Sequence, residues 1–325
     1  MLHQARFDFD DPVWDQRHYF GRFRYFAWVT DPRLNFVGDK CLDQAKNLRT
    51  LYIQHREPPG TTREDLLYAK KLYDSAFHPD TGDKMNIFGR MSFQMPGGML
   101  ITGAMLSWYR TVPALLFWQW VNQSFNAFVN YTNRNANSPL TVKQLGVAYV
   151  TATTAACVTA IGFKNFLIKR TGPLLQRYVP FAAVAAANCV NIPLMRQNEI
   201  INGVDVFDAD DNKVGESRVA AVKGISQVIF SRILMCAPGM TILPIVMEQL
   251  EKNCWFRCNQ WIHAPFQTLA CGVSLTLMVP AACAIFPQRC SLKTETMRHF
   301  EEERYNRLRK KNDCIPERVY FNKGL

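Results

Sequence analysis

The chain has 325 residues, 48% of them apolar and 12% aromatic, and 38 Lys and Arg against 27 Asp and Glu leave it at +11. That content can bury a sizeable core, which excludes a disordered or low-complexity chain. The positive charge is spread along the sequence without a zinc-finger, RNA-binding or basic-helix motif, so nucleic acid is not an expected partner.

Charge divides the chain into three. Residues 1–96 hold 14 basic and 13 acidic side chains, residues 97–286 hold 14 and 8, and residues 287–325 hold 10 and 6. A densely charged front, an apolar middle and a charged end predict an all-α, multi-pass helical membrane protein. It has an N-terminal extramembrane arm over 1–96, a transmembrane domain over 97–286 and a charged tail over 287–325. The N-terminus lacks the apolar core of a secretory signal. Asp8, Asp10, Asp11 and Asp15 also spoil a mitochondrial presequence, so organellar targeting would rest on internal segments.

The arm reads as helical. Leu42, Ala45, Leu48, Tyr52 and His55 keep helical spacing. A second amphipathic helix, with Leu66, Ala69, Leu72, Tyr73 and Ala76, follows the Pro58-Pro-Gly60 breaker and a capping box at Thr61-Thr-Arg-Glu64. His78-Pro-Asp80-Thr-Gly82 is a loop, since Pro79 restrains His78 and Asp80-Thr-Gly82 has turn chemistry. His78 and Asp80 have three readings: structural loop, gate, or metal and acid–base pair. The last lacks a third ligand at a known spacing, and no metal or cofactor is expected.

Crossing about 30 Å of hydrocarbon takes roughly 20 helical residues. About five spans are expected, over 97–120, 144–163, 178–195, 224–247 and 264–286, and an odd number puts the two ends of the chain on opposite sides. The second and fifth are free of charge. Arg110 and Arg232 interrupt the first and fourth, and an arginine at a helix centre costs about 2.5–3.5 kcal/mol on insertion scales. Lys and Arg are evenly balanced between the two sides, so the sequence does not orient itself. Cys254 and Cys258 form a single pair, too little for a zinc site.

Polar groups inside this domain carry the chemistry. Gln119, Asn122, Asn126 and Asn130 recur at three- and four-residue spacing on one helical face, and Asn188 and Asn191 sit in the third span before Pro193 and Arg196. Amides in hydrocarbon are costly unless they face each other, water or a solute. They either glue helices together or line a substrate pathway. Prolines at 113, 180, 193, 238, 244 and 280 favour the pathway, because broken helices free backbone groups for a small zwitterion. Arg110, Arg196 and Arg232 are candidate carboxylate or gating partners, or they snorkel to the interface. No Walker loop, nucleophile elbow or Rossmann fingerprint is present, so an enzyme is not expected.

Long motifs now stand in one order: His78-Pro-Asp-Thr-Gly82, Phe93-Gln-Met-Pro-Gly-Gly98, Trp118-Gln-Trp-Val-Asn-Gln-Ser-Phe-Asn-Ala127, Asn130-Tyr-Thr-Asn-Arg-Asn135, Ala186-Ala-Asn-Cys-Val-Asn-Ile-Pro-Leu-Met-Arg-Gln197 and Tyr320-Phe-Asn-Lys-Gly-Leu325. They resemble the sideroflexins, from Trp14 to the last residue. Asp83 departs from the family, which more often has Glu there. Residues 68–77 and 90–94 look closest to one branch. The resemblance implies a mitochondrial inner-membrane protein with about five spans and no cleaved presequence. It also implies a secondary transporter of a small neutral amino acid, serine above all, that feeds mitochondrial one-carbon metabolism. The alternatives are a non-transporting membrane scaffold and a factor in iron or haem homeostasis, to which that branch has been tied. The lipid bilayer and a small amino acid are the expected partners.

Overall fold

Caps and turns fix where the helices of the first third begin. The computed structural model describes residues 6–9, 11–78, 81–133, 141–170, 177–311 and 316–324. Helices α1 (Tyr19–Val29), α2 (Asp39–Ile53) and α3 (Arg63–Ala76) form the arm. The capping box of α3 falls one residue later than the sequence suggests. Thr62 Oγ1 accepts from Asp65 N at 3.2 Å, and the Asp65 carboxylate accepts from Thr62 N at 2.9 Å. Thr61 is engaged elsewhere, its hydroxyl donating to the Pro58 carbonyl at 2.7 Å and closing the preceding turn. Leu42 and Ala45 of α2 pack on Leu66, Ala69, Leu72 and Ala76 of α3 to give the arm its own core.

The apolar middle folds into α4 (Gln94–Ser107), α5 (Val112–Thr132), α6 (Val142–Arg170), α7 (Val179–Met195), the short α8 (Gln197–Asn202), α9 (Arg218–Glu251), the short α10 (Cys254–Cys258) and α11 (His263–Ala284). Among the described residues, three helical stretches are long and apolar enough to cross a membrane: Lys143–Phe166, Arg218–Glu251 and Gln260–Ala284; Val179–Met195 is a shorter apolar helix. Large apolar side chains on their outer faces, such as Val150, Phe230, Leu269 and Leu277, are exposed, as lipid-facing positions should be.

The stretch 97–120, expected as one span, is two legs. α4 stops at Ser107, residues 108–111 are not helical, and α5 starts at Val112 with Pro113 in its first turn and Thr111 as its cap. Pro113 is the cause, because proline suits the first turn of a helix and disrupts its interior. The second leg folds back along the first. Trp108 stacks on Trp118 with ring centroids 5.5 Å apart. At the other end, a Cβ on Gly97 would come within 2.7 Å of Phe125.

With this extra reversal, α1 and the strand-bearing tail meet at the same end of α11. Arg22 of α1 donates to the Ala284 carbonyl at 2.7 Å, and Lys323 donates to the Phe286 carbonyl at 2.9 Å. At this end, strands β1 (Val204–Phe207), β2 (Lys213–Ser217), β3 (Arg289–Lys293) and β4 (Arg318–Asn322) form an antiparallel sheet in the order β2-β1-β4-β3. Helices α12 (Thr294–Phe300) and α13 (Glu302–Lys311) lie between β3 and β4. The charged tail therefore carries a core of its own, with Cys290, Leu292, Val319 and Phe321 buried against Val206 and Met297. The helical membrane architecture stands, with this small sheet added at one end.

Candidate functional site

Side chains four apart share one face of a helix, and three such stripes converge where α5, α6 and α7 meet. On α5 the stripe is Leu115, Gln119 and Gln123; on α6 it is Ala148, Ala152, Ala156 and Ala160; on α7 it is Ala183, Ala187 and Asn191. All of these residues are buried. Leu115, Ala160, Val179 and Ala183 form one apolar cluster, which fixes the bottom of the junction. The Ser124 and Tyr149 hydroxyls, 2.8 Å apart, fix the register of α5 against α6. Gln144 Nε2 donates to Asn198 Oδ1 at 3.1 Å, which fixes α6 against the chain just beyond α7. One turn above the apolar cluster this register sets Gln119 level with Ala156 and Ala187. A second turn up, Gln123 lies level with Ala152 and Asn191.

Several amide atoms in this junction lack partners. Both polar atoms of Gln119, Oε1 of Gln123, Oδ1 of Asn191 and Nδ2 of Asn122 are shielded from solvent without a hydrogen bond. Ser231 Oγ of α9 is in the same condition. It lies near the level of Asn191, because Val184 packs with Met240 and Ile192 packs with Val228. A buried polar group left unpaired costs about 1–3 kcal/mol by mutational measures. Alanine methyls cannot supply the missing bonds, so the opposing helices leave the amides open.

The predicted residues separate into groups. Asn122 and Asn191 belong to the unpaired set, and Gln119, noted in the amide stripe, stands with them. Asn126, Asn130 and Asn188 are half-buried and lie off the 115-119-123 and 183-187-191 stripes. Gln123 escapes the sequence reading; its signal is the four-residue step from Gln119. Arg110 is exposed in the turn between α4 and α5, where its carbonyl accepts from Lys164 Nζ. Arg232 is half-buried on α9, next to Ser231. His78 is buried in its loop, where Nδ1 accepts from Thr81 N at 3.4 Å and the carbonyl accepts from Gly82 N at 2.9 Å. Asp80 lies outside the described residues. Among the described residues, no three His, Cys, Asp or Glu side chains gather as metal ligands would.

Arg196 belongs to a different arrangement, at the end of the bundle where α1 and the tail meet. Its Nε donates to Glu199 at 3.0 Å and its Nη1 to the Lys323 carbonyl at 2.7 Å. Lys323 and Arg22 together cover the last carbonyls of α11, where a cation complements the negative end of the helix dipole. Burial holds the Lys323 amine below the usual lysine value.

A family model for the sideroflexins matches residues 8–325. The chain belongs to the sideroflexin family. It is 60% identical over 319 residues to Sideroflexin-2 of Drosophila melanogaster and 55% identical over 319 residues to Sideroflexin-2 of Homo sapiens, with 98% of each chain covered in both comparisons. Sideroflexin-1 of Sus scrofa is 51% identical over 317 residues, covering 97% of this chain and 96% of that one. No solved structure matches. For this sideroflexin the comparison joins a multi-pass helical membrane fold to a family of transporter type rather than enzyme type.

Proposed function

We propose that this sideroflexin is a secondary carrier of a small neutral amino acid, serine first, in the mitochondrial inner membrane. The observation that carries the reading is the set of unpaired amides at Gln119, Gln123 and Asn191, buried between legs of the bundle. Amides offer donors to a carboxylate and carbonyl oxygens to an ammonium, and together they carry no net charge. That suits a zwitterion better than a net anion or cation. A ligand that pairs them recovers the desolvation cost the junction bears.

Transport would then follow from alternate opening of the legs at either end around this junction, with Asn122 and Ser231 at its margin. Asn126, Asn130 and Asn188 would line the approach, and Arg110 and Arg232 would act nearer the openings. The resemblance to sideroflexins points to serine and to the mitochondrial inner membrane, and supply of one-carbon metabolism would follow from that substrate.

The test is uptake of labelled serine into liposomes holding the purified protein, with glycine, alanine and cysteine as competitors. Saturable uptake absent from empty liposomes is the expected result. No uptake of any of the four by folded protein would overturn the reading in favour of a scaffold or an iron-linked role.

A further inference from the structure

The lowest layer of the junction between α5, α6 and α7 acts as an internal control for the layer above it. Leu115 fills the space opposite Ala160 and Ala183, so that layer is apolar on all three helices. Alanines there do what small residues do in membrane bundles: they let backbones approach. One turn up, Ala156 and Ala187 are again fully buried, at 0% exposure each, but the α5 side chain is Gln119, also at 0%. Both polar atoms of that amide are unpaired. Ala156 and Ala187, which the register sets at its level, are methyls and offer it no partner.

We infer that Ala156 and Ala187 determine substrate size, standing as the wall against which a ligand held by Gln119 must fit. The inference rests on the carrier reading. All three side chains are closed to solvent in this state, so a ligand enters only as the legs part, and each additional carbon on it would then meet one of these methyls when they close. Removing a methyl should admit the next larger side chain. Adding a hydroxyl should occupy the amide in place of the substrate.

The experiment measures competition by glycine, alanine, serine, threonine and leucine for labelled-serine uptake in proteoliposomes. It compares the wild type with Ala156→Gly, Ala187→Gly, Ala156→Ser and the control Ala160→Gly. Size-exclusion profiles and melting temperatures select variants that are folded, and either glycine variant at the upper layer suffices. Threonine should gain at least tenfold relative to serine in Ala156→Gly or Ala187→Gly, and Ala160→Gly should keep the wild-type order. Ala156→Ser should raise the half-saturating serine concentration at least tenfold. An order unchanged in folded Ala156→Gly and Ala187→Gly, with wild-type uptake intact, would overturn the size assignment alone. Absence of wild-type uptake would overturn the carrier reading beneath it.

Discussion

Two buried polar regions of this bundle, separated in sequence by only the short step from Asn191 to Arg196, are built in opposite ways. At the end where α1 and the tail meet, Arg22, Arg196, Glu199 and Lys323 are all buried or nearly so, and each finds partners. In the junction of α5, α6 and α7, Gln119, Gln123 and Asn191 are equally buried and keep unpaired atoms. Charged groups are satisfied at the sealed end, although Gln288 Oε1 there is also buried and unpaired, and the junction differs in gathering several open amide atoms on helices that pack together. The difference separates a structural seal from a surface kept available for something else.

Breaking the seal should produce the largest loss. Arg196→Met leaves Glu199, 8% exposed, without its guanidinium partner. Removing one member of a buried ion pair typically costs about 3–5 kcal/mol. The detergent-solubilised variant should melt well below the wild type. A melting temperature within experimental error would mean that the seal contributes little and that the contrast with the junction is empty.

The junction should respond in the reverse sense. Gln119→Leu removes an unpaired amide and keeps a side chain of similar size, so stability should hold or rise by about 1–3 kcal/mol. Serine uptake should fall at least tenfold. Asn191→Ala should likewise lose transport while melting close to the wild type. If both variants lose stability and keep full uptake, the amides are glue between helices and the site assignment is wrong.

A smaller effect is expected where the seal meets the end of the chain. Gly324 adopts φ +74°, and a Cβ there would stand 3.1 Å from the Arg196 guanidinium. Gly324→Val should destabilise by about 1–2 kcal/mol through the left-handed backbone alone. The measurement is the melting temperature, with Gly146→Val on an open face of α6 as the control. Equal behaviour of the two variants would show that the last residues do not hold Arg196.

Much of this contrast is legible in the sequence, and the rest depends on direction of travel. Charge-free runs bracketed by Lys143 and Lys164 announce a spanning helix, because length and hydropathy suffice for that inference. The amide stripe on α5 is visible through its spacing. The reversal at residues 108–111 is harder, because Trp108 and Tyr109 keep the stretch apolar in character, and Arg110 and Pro113 read equally well as a charge and a kink within one span. Missing it hides the seal, since Arg22 and Lys323 are remote in sequence. Strands β1 and β4 escape for a similar reason: four or five alternating residues acquire their partner only after the bundle has brought residues 204–207 and 318–322 together. Which asparagines lack partners is a matter of what faces them, and spacing on one helix does not contain that.

The arm supplies the mildest test of the same principle, that paired charge is structural. Asp31 caps the turn that follows α1, accepting from Arg33 N at 3.1 Å, and ion-pairs with both Arg33 and Lys71 at 2.8 Å. The hydrogen bond from the Arg33 side chain, ahead of that from Lys71, holds its carboxyl well below the usual carboxylate range. The folded-state value thus lies below the unfolded value of 3.8. The unfolded chain binds the proton first as acid is added, so this contribution is complete above that value and is lost as pH falls through the folded one. Asp31→Asn keeps a capping oxygen and removes the charge. The variant should melt below the wild type at pH 7, and the two curves should converge as the pH is lowered past 3.8. Parallel curves down to pH 3 would show that the Asp31 pairs are solvated at no gain, as many exposed ion pairs are, and would confine the structural use of charge to the buried end of the bundle.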